Sequence, residues 1–297
     1  MRIEDIVNIT DAELINEGYI KDISGFSDEV KRVKREFLFV SNDINDIKEA
    51  VKKGAYAILF SKNIKIIDDE IAWIKVDDIN EAFLKLLKYK LLDKILYFTD
   101  ELTLEIIKSI NKDKKLAIIE KANFEYLNEN YIYITSQEKV KNISINLQKL
   151  KKTTKITILN TTPLITEFNF KSHKYSLVFP VLYIKKLQKA LSFFEELKLN
   201  YSLKDAKINR LIPQFINSRC EKVSFGKTEK VIIQGIKKDK YFIDELNYLF
   251  EKLKYAEVKF YDSNTIKSFY KDTFNFAILI DCDIQLKEKS IKETTLF

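Results

Sequence analysis

Glycine and proline are scarce in this chain of 297 residues, at five and three, and cysteine (two), tryptophan (one) and histidine (one) are scarcer still. The glycines are Gly18, Gly25, Gly54, Gly226 and Gly235, and no pair of them has the spacing of a phosphate-binding loop. Such a loop needs glycines because its backbone N–H groups must approach the phosphates closely. Cys220 and Cys282 stand far apart in sequence and indicate neither a disulfide framework nor a zinc site. One histidine and two separated cysteines leave no expected metal site. His173, with Lys171 and Lys174 beside it, reads as an exposed loop residue and not as a catalytic one. Asp68, Asp69 and Glu70 read as a solvated turn before a strand, and Cys282 between Asp281 and Asp283 as a thiol raised in pKa and unreactive. No uncharged apolar run approaches the roughly 18 residues of a membrane span. The opening MRIEDIVNIT carries acids where a signal peptide has its apolar core. A cytoplasmic protein is the expectation.

What is present is ordinary for a globular chain: 46% hydrophobic and 32% charged residues, with length enough for two or three domains. The formal net charge is +7, but the lysines alternate with acids along helical faces and form no stripe, so nucleic-acid binding is not expected. The 21 Phe and 15 Tyr fall mostly inside periodic apolar segments, such as those of Phe193, Phe194, Tyr248 and Phe250, where packing accounts for them. Tyr131 and Tyr133 are candidates for an interface.

The chain is organised around the stretch from Phe37 to Leu59. An apolar run, a polar turn, a helical segment from Ile44 to Lys53, Gly54 and a second apolar run form the pattern of a right-handed βαβ unit with parallel strands. Gly54 stands where a helix C-terminus favours the left-handed conformation. Before this unit the pattern predicts a helix from Ile3 to Leu14, a strand over 19–23 and a turn over 24–28. After it come a strand at 71–76, a helix from Glu81 to Leu92 capped from 77–80, strand KILYF (94–98) and helix ELTLEIIKSI (101–110). LAIIE, YIYIT and KITIL predict further parallel strands up to residue 160. A strand pair (FNF and YSLVF), Pro180 and a long helix to Leu199 follow, with Ile184, Leu187, Leu191 and Phe194 on its core face. A small helix over 204–213 comes next, and then a smaller α/β unit with strands at 231–235, 256–261 and 276–281.

GFSDEVKRVKREFLFVSND, EAVKKGAYAIL and IKVDDINEAFLKLL together resemble the N-terminal domain of the Mur ligases, enzymes that add amino acids or a dipeptide to the UDP-linked muramyl precursor of peptidoglycan. Leu38, Phe39, Val40, Ala50, Gly54, Ala55, Val76 and Asp78 match that family's order and spacing. The family's Asp-Ser-Arg falls on Glu29, Val30 and Lys31, and its Gly-Asp on Glu36 and Phe37. The resemblance implies that this region, in the family, helps to hold the uridine nucleotide. Between KILYF and ELTLEIIKSI the family has Gly-x-x-Gly-Lys-Thr for ATP; here Thr99 and Asp100 make the connection. Ser218-Arg219-Cys220-Glu221 stands where the family has Gly-Arg-x-Glu. The family's Asp-x-Tyr-Ala-His/Asn-Asn-Pro motif is replaced by Gln234 to Lys238, and its carbamylated lysine and magnesium-binding glutamate have no counterpart.

The resemblance implies a bacterial α/β protein of three consecutive α/β units with mostly parallel sheets: 1–93 like the Mur N-terminal domain, 94–222 like a reduced central domain, and 223–297 a shortened C-terminal unit. The expected role is non-catalytic, a binding or scaffold protein for peptidoglycan-synthesis enzymes or a UDP-muramyl ligand, with no cofactor and no catalytic residue. The alternatives are an enzyme in the same cleft that needs no nucleoside triphosphate and, on net charge alone, nucleic-acid binding. The candidate substrate-binding residues are Lys31, Ser41, Asn42, Arg219 and Glu221.

Overall fold

A computed structural model describes residues 1–224, 228, 230–284 and 286. The chain opens with helix α1 (Ile3–Thr10), which stops where Asp11 enters the left-handed region at φ 55°. Strand β1 (Glu13–Asn16) follows, so the expected helix ends before Leu14. Residues 19–23 form no strand beyond an isolated bridge between Arg2 and Asp22.

The turn expected at 24–28 is instead strand β2 (Gly25–Ser27), buried throughout. It pairs in parallel with β3 (Phe37–Val40) and lies at the sheet's edge. An edge strand exposes unpaired backbone groups. Asn128 covers them, accepting from the Phe26 N–H at 2.6 Å and donating to the Phe26 carbonyl at 2.8 Å.

The predicted βαβ unit is present as β3, helix α2 (Ile44–Lys52) and strand β4 (Ala57–Phe60). Asp43 caps α2, its carboxylate accepting from the N–H groups of Asn45 (2.7 Å) and Asp46 (3.2 Å), two of the donors a helix start leaves unpaired. Gly54, at φ 89°, turns the chain back into β4. Strand β5 (Ala72–Lys75) and helix α3 (Ile79–Lys90) follow, with Asp78 as the cap of α3. The sheet order is β1-β5-β4-β3-β2, antiparallel only at β1. The runs on β3 to β5 are buried on both faces, as in a sheet covered by helices. Trp73 is fully buried, and its indole N–H donates to the Asp68 carbonyl at 2.6 Å.

A second sheet follows: β6 (Leu96–Phe98), helix α4 (Glu101–Ile110), β7 (Leu116–Ile119), β8 (Ile132–Thr135), helix α5 (Glu138–Ile143) and β9 (Leu147–Lys149). Its order is β7-β8-β6-β9, all parallel. KITIL does not extend it. That segment enters β10 (Thr157–Thr161), which joins β11 (Thr166–Phe170) and β12 (His173–Leu177) in an antiparallel meander. The β11–β12 turn is Lys171-Ser172, both at positive φ, as a two-residue hairpin requires.

Helix α6 (Ile184–Glu196) buries Ile184, Leu187, Leu191 and Phe194, the face its periodicity predicts. The small helix expected over 204–213 is only a 3-10 turn (Leu203–Asp205), after which the chain extends into β13 (Ile212–Ile216). Pro213 favours that extension, since the residue before a proline is pushed out of the helical region. The last sheet adds β14 (Lys230–Ile236), helix α7 (Phe242–Lys252), β15 (Val258–Tyr261) and β16 (Phe276–Ile280) in the order β13-β14-β16-β15. β14, β16 and β15 run parallel, with β13 antiparallel at one edge.

The chain is thus a mixed α/β protein with parallel sheets. It forms two compact units, one of residues 1–104 and 113–150 and the other of residues 105–112 and 151–297. Position 93/94 lies inside the first unit and 222/223 between β13 and β14 of the second; residues 287–297 of the expected C-terminal part lie outside the described residues. In the first unit one core draws on both sheets, with Leu38, Leu59, Ile74 and Phe83 packed with Leu96, Ala117, Phe124 and Tyr133. Tyr133 is a core residue whose hydroxyl donates to the Tyr126 carbonyl at 2.8 Å, which removes it as an interface candidate.

Candidate functional site

Strand β3 ends at Val40, and Ser41 and Asn42 stand just past its carboxyl end, where open parallel sheets form their ligand crevices. The Asn42 side chain binds the loop after the neighbouring strand. Its oxygen accepts from the N–H groups of Ser61 (2.8 Å) and Lys62 (3.2 Å), and its amide donates to the Ser61 hydroxyl at 3.0 Å. Ser41 accepts from the Asp43 N–H at 3.0 Å and so shapes the entry to α2. The two neighbouring residues stand at one rim, where both act on the loops that form it.

Lys31 lies in a 3-10 turn (Val30–Arg32) and is exposed, with no hydrogen bond or ion pair among the described residues. Its neighbour Arg32 is paired with Glu29 at 3.1 Å and with Glu125. Ser27 also donates to Glu125, at 3.2 Å. Burial, and then the nearby Glu125 and Glu29 charges, raise the Asp28 carboxyl above its ordinary range. Beside Lys31, therefore, the arginine is taken up by Glu29 and Glu125.

Arg219 and Glu221 belong to the second unit, in a tight turn closed by Asn217. The Asn217 side-chain oxygen accepts from the N–H groups of Arg219 (2.9 Å) and Glu221 (3.0 Å), and its amide donates to the Glu221 carboxylate at 2.8 Å. Cys220, at φ 59°, completes the reversal. Arg219 is exposed on this turn. Glu221 is thus held by its own turn.

The connection from β6 to α4 is short and closed. The Thr99 N–H continues the ladder to the Thr135 carbonyl at 3.1 Å. The Asp100 carboxylate accepts from the Thr103 N–H (3.1 Å) and the Thr103 hydroxyl (2.9 Å). Asp100 thereby fills the N-terminus of α4, the end of a helix that attracts anions, with the chain's own carboxylate. Gly226, Lys227 and Thr228 reproduce the last letters of Gly-x-x-Gly-Lys-Thr, but its first glycine would fall at Val223. All three but Thr228 lie outside the described residues.

His173 is exposed at the start of β12, its Nδ1 within 2.8 Å of the Lys171 carbonyl. No group of three His, Cys, Asp or Glu among the described residues is placed to hold a metal. The Cys282 thiol is raised by burial first and then by Asp262, Asp283 and Asp281, the direction expected from its sequence neighbours.

Among the described residues, the most charged buried feature carries no signal in the sequence. Arg210, just before β13, grips the Asp239 carboxylate with two bonds (2.7 and 3.0 Å) and the Glu245 carboxylate with two more, one of 2.7 Å. Glu245, on α7, is fully buried and also accepts from the Tyr183 hydroxyl. The Tyr241 ring lies under the guanidinium at 5.2 Å. Every polar atom at the centre has a partner, so this is a structural clamp.

No protein-family model matches the chain, and no curated protein matches it. Among solved structures it is similar to MurF from Acinetobacter baumannii, at 9% identity and TM-score 0.47 over 94% of this chain and 95% of that one. It is similar also to the UDP-N-acetylmuramoylalanyl-D-glutamyl-2,6-diaminopimelate–D-alanyl-D-alanyl ligase of the same organism (9%, 0.49, 94% of each). A third is the MurF ligase of Thermotoga maritima, solved in complex with ADP (11%, 0.43, 88% of this chain and 95% of that one).

Proposed function

We propose that the protein acts by binding and not by ligation: a Mur ligase-like chain, cytoplasmic and tied to peptidoglycan precursor synthesis, that has no use for ATP. The observation that carries this reading is the β6–α4 turn. Where the family's phosphate loop belongs, Asp100 presents a carboxylate to the helix N-terminus and is held there by Thr103. A negative charge at that point repels a triphosphate, and a connection of Thr99 and Asp100 alone has too few free N–H groups to wrap one.

The residues that match the family support the link to its scaffold. Leu38, Phe39 and Val40 form β3, Ala50 and Ala55 pack beneath it, Gly54 ends α2, and Asp78 caps α3. The residues that would touch a ligand are the ones that differ. A retained frame with altered contact positions favours binding or scaffolding over turnover.

Calorimetric titration tests the reading. The expected result is no heat with ATP and magnesium, and saturable heat with a UDP-N-acetylmuramyl peptide if the acceptor end is kept. Binding of neither moves the role to protein partners. Binding of ATP contradicts the proposal.

A further inference from the structure

The first unit contains a cavity of about 380 Å³, away from the rim formed by Ser41 and Asn42. It opens beside the start of β2 and the last turn of α3, with Ile23, Phe26, Leu86 and Leu127 as its apolar lining and Tyr89 and Lys90 on its wall. Its volume lies within the range of small-molecule pockets, which combine an apolar body with a few polar groups. We propose that this cavity binds a small monocarboxylate with an apolar or aromatic body, the body against Leu86 and Leu127 and the carboxylate on the Lys90 ammonium.

Three observations carry the assignment. The apolar lining is rigid: Ile23, Phe26, Leu86 and Leu127 are all buried members of the core, and the Asn128 amide fixes the backbone of Phe26 on both its polar groups. Lys90 is half-buried and has no hydrogen bond or ion pair among the described residues. Burial first, and then the like charge of Lys94, lower its pKa against the opposing charge of Asp93, so a bound carboxylate supplies the close partner this ammonium lacks. Tyr89 is 55% exposed at the same wall, leaving an aromatic face available for a flat apolar body. Asp5 also lines the cavity, on the first turn of α1; it is exposed and therefore screened. The proposal does not rest on the likeness to ligases.

The test titrates the full chain with three compounds of one shape: 3-phenylpropionate, its neutral amide and the matching amine. The expected order is carboxylate over amide over amine, with one carboxylate bound per chain. Lys90→Met should weaken carboxylate binding about tenfold, the loss of one charge-assisted contact, and leave the amide unaffected. Ser24→Trp, at an exposed position on the cavity lining, should abolish binding of all three while melting temperature and circular dichroism stay unchanged. No binding at 10 mM (about 3 kcal/mol of affinity) overturns the proposal. So does a preference for the amine, which would assign the site to Asp5, or carboxylate binding indifferent to both variants. Competition by inorganic phosphate at similar concentration would also overturn it, because the apolar body would then contribute nothing.

Discussion

Glu36 carries a side chain where the backbone is left-handed, at φ 70°. The Glu36 N–H donates to the Gly54 carbonyl (3.0 Å), and its own carbonyl accepts from the Ser24 N–H (2.8 Å). The position is fixed from both sides and cannot relax. A non-glycine residue there costs roughly 1–2 kcal/mol, and a glycine loses back part of that through unfolded-state entropy. Glu36→Gly should therefore stabilise the protein by about 0.5–1 kcal/mol, seen as a higher urea midpoint at unchanged slope. A lower midpoint would mean that the glutamate side chain contributes contacts outweighing the strain. At Asp100, Asp100→Ala should cost about 1 kcal/mol, a lost helix cap, and Asp100→Asn less; equal losses would make the charge, and not the cap, the source of stability.

Elements are joined in the second unit by the Arg210 clamp, which ties the segment before β13 to the loop after β14, to α7 and to Tyr183 ahead of α6. Arg210→Met leaves Glu245 fully buried with its countercharge gone, and should cost about 3–5 kcal/mol. Replacing Arg210 and Glu245 together by apolar residues should recover much of that loss, because an unpaired buried charge is worse than no charge. Equal loss in the single and double variants would refute the clamp. Its pH signature follows from Asp239. Burial pushes this carboxyl up, but the Arg210 and Tyr241 hydrogen bonds outweigh it and hold the group below 3.8. A depressed carboxyl pKa adds stability above its unfolded value and loses it as pH falls through the folded one. Acid unfolding monitored below pH 3.8 should therefore be less steep in Arg210→Met than in the parent chain. A parallel acid limb would contradict the assignment.

At the scale of the whole molecule, the legible parts were those written in local patterns. The apolar runs flanking α2, with Asp43 before it and Gly54 after it, specify a βαβ unit within one short stretch. Strand β2 was not legible, since Ser-Gly-Phe-Ser-Asp has turn composition; it becomes an edge strand by pairing with β3, and its open edge is covered by Asn128, 102 residues from Phe26. The direction of β10 was hidden for a similar reason: KITIL has strand composition, but its partner is the meander strand β11, not the parallel sheet before it. Arg210 reads as one more surface cation until Asp239 and Glu245, 29 and 35 positions on, close around it. At the candidate site the sequence located Ser41 and Asn42 at a strand end. It did not show that Asn42 is engaged with Ser61, nor that Glu125 takes up Arg32, because both partners come from distant loops.

Phosphate release shows whether the β6–α4 turn leaves the protein without use of ATP. Purified protein is incubated with ATP, magnesium, a UDP-N-acetylmuramyl peptide and the amino acids or dipeptide a ligase would add. The expected result is no phosphate above the protein-free control and no change with Asp100→Ala. Acceptor-dependent release of phosphate would contradict it and would place an ATP site elsewhere in the chain.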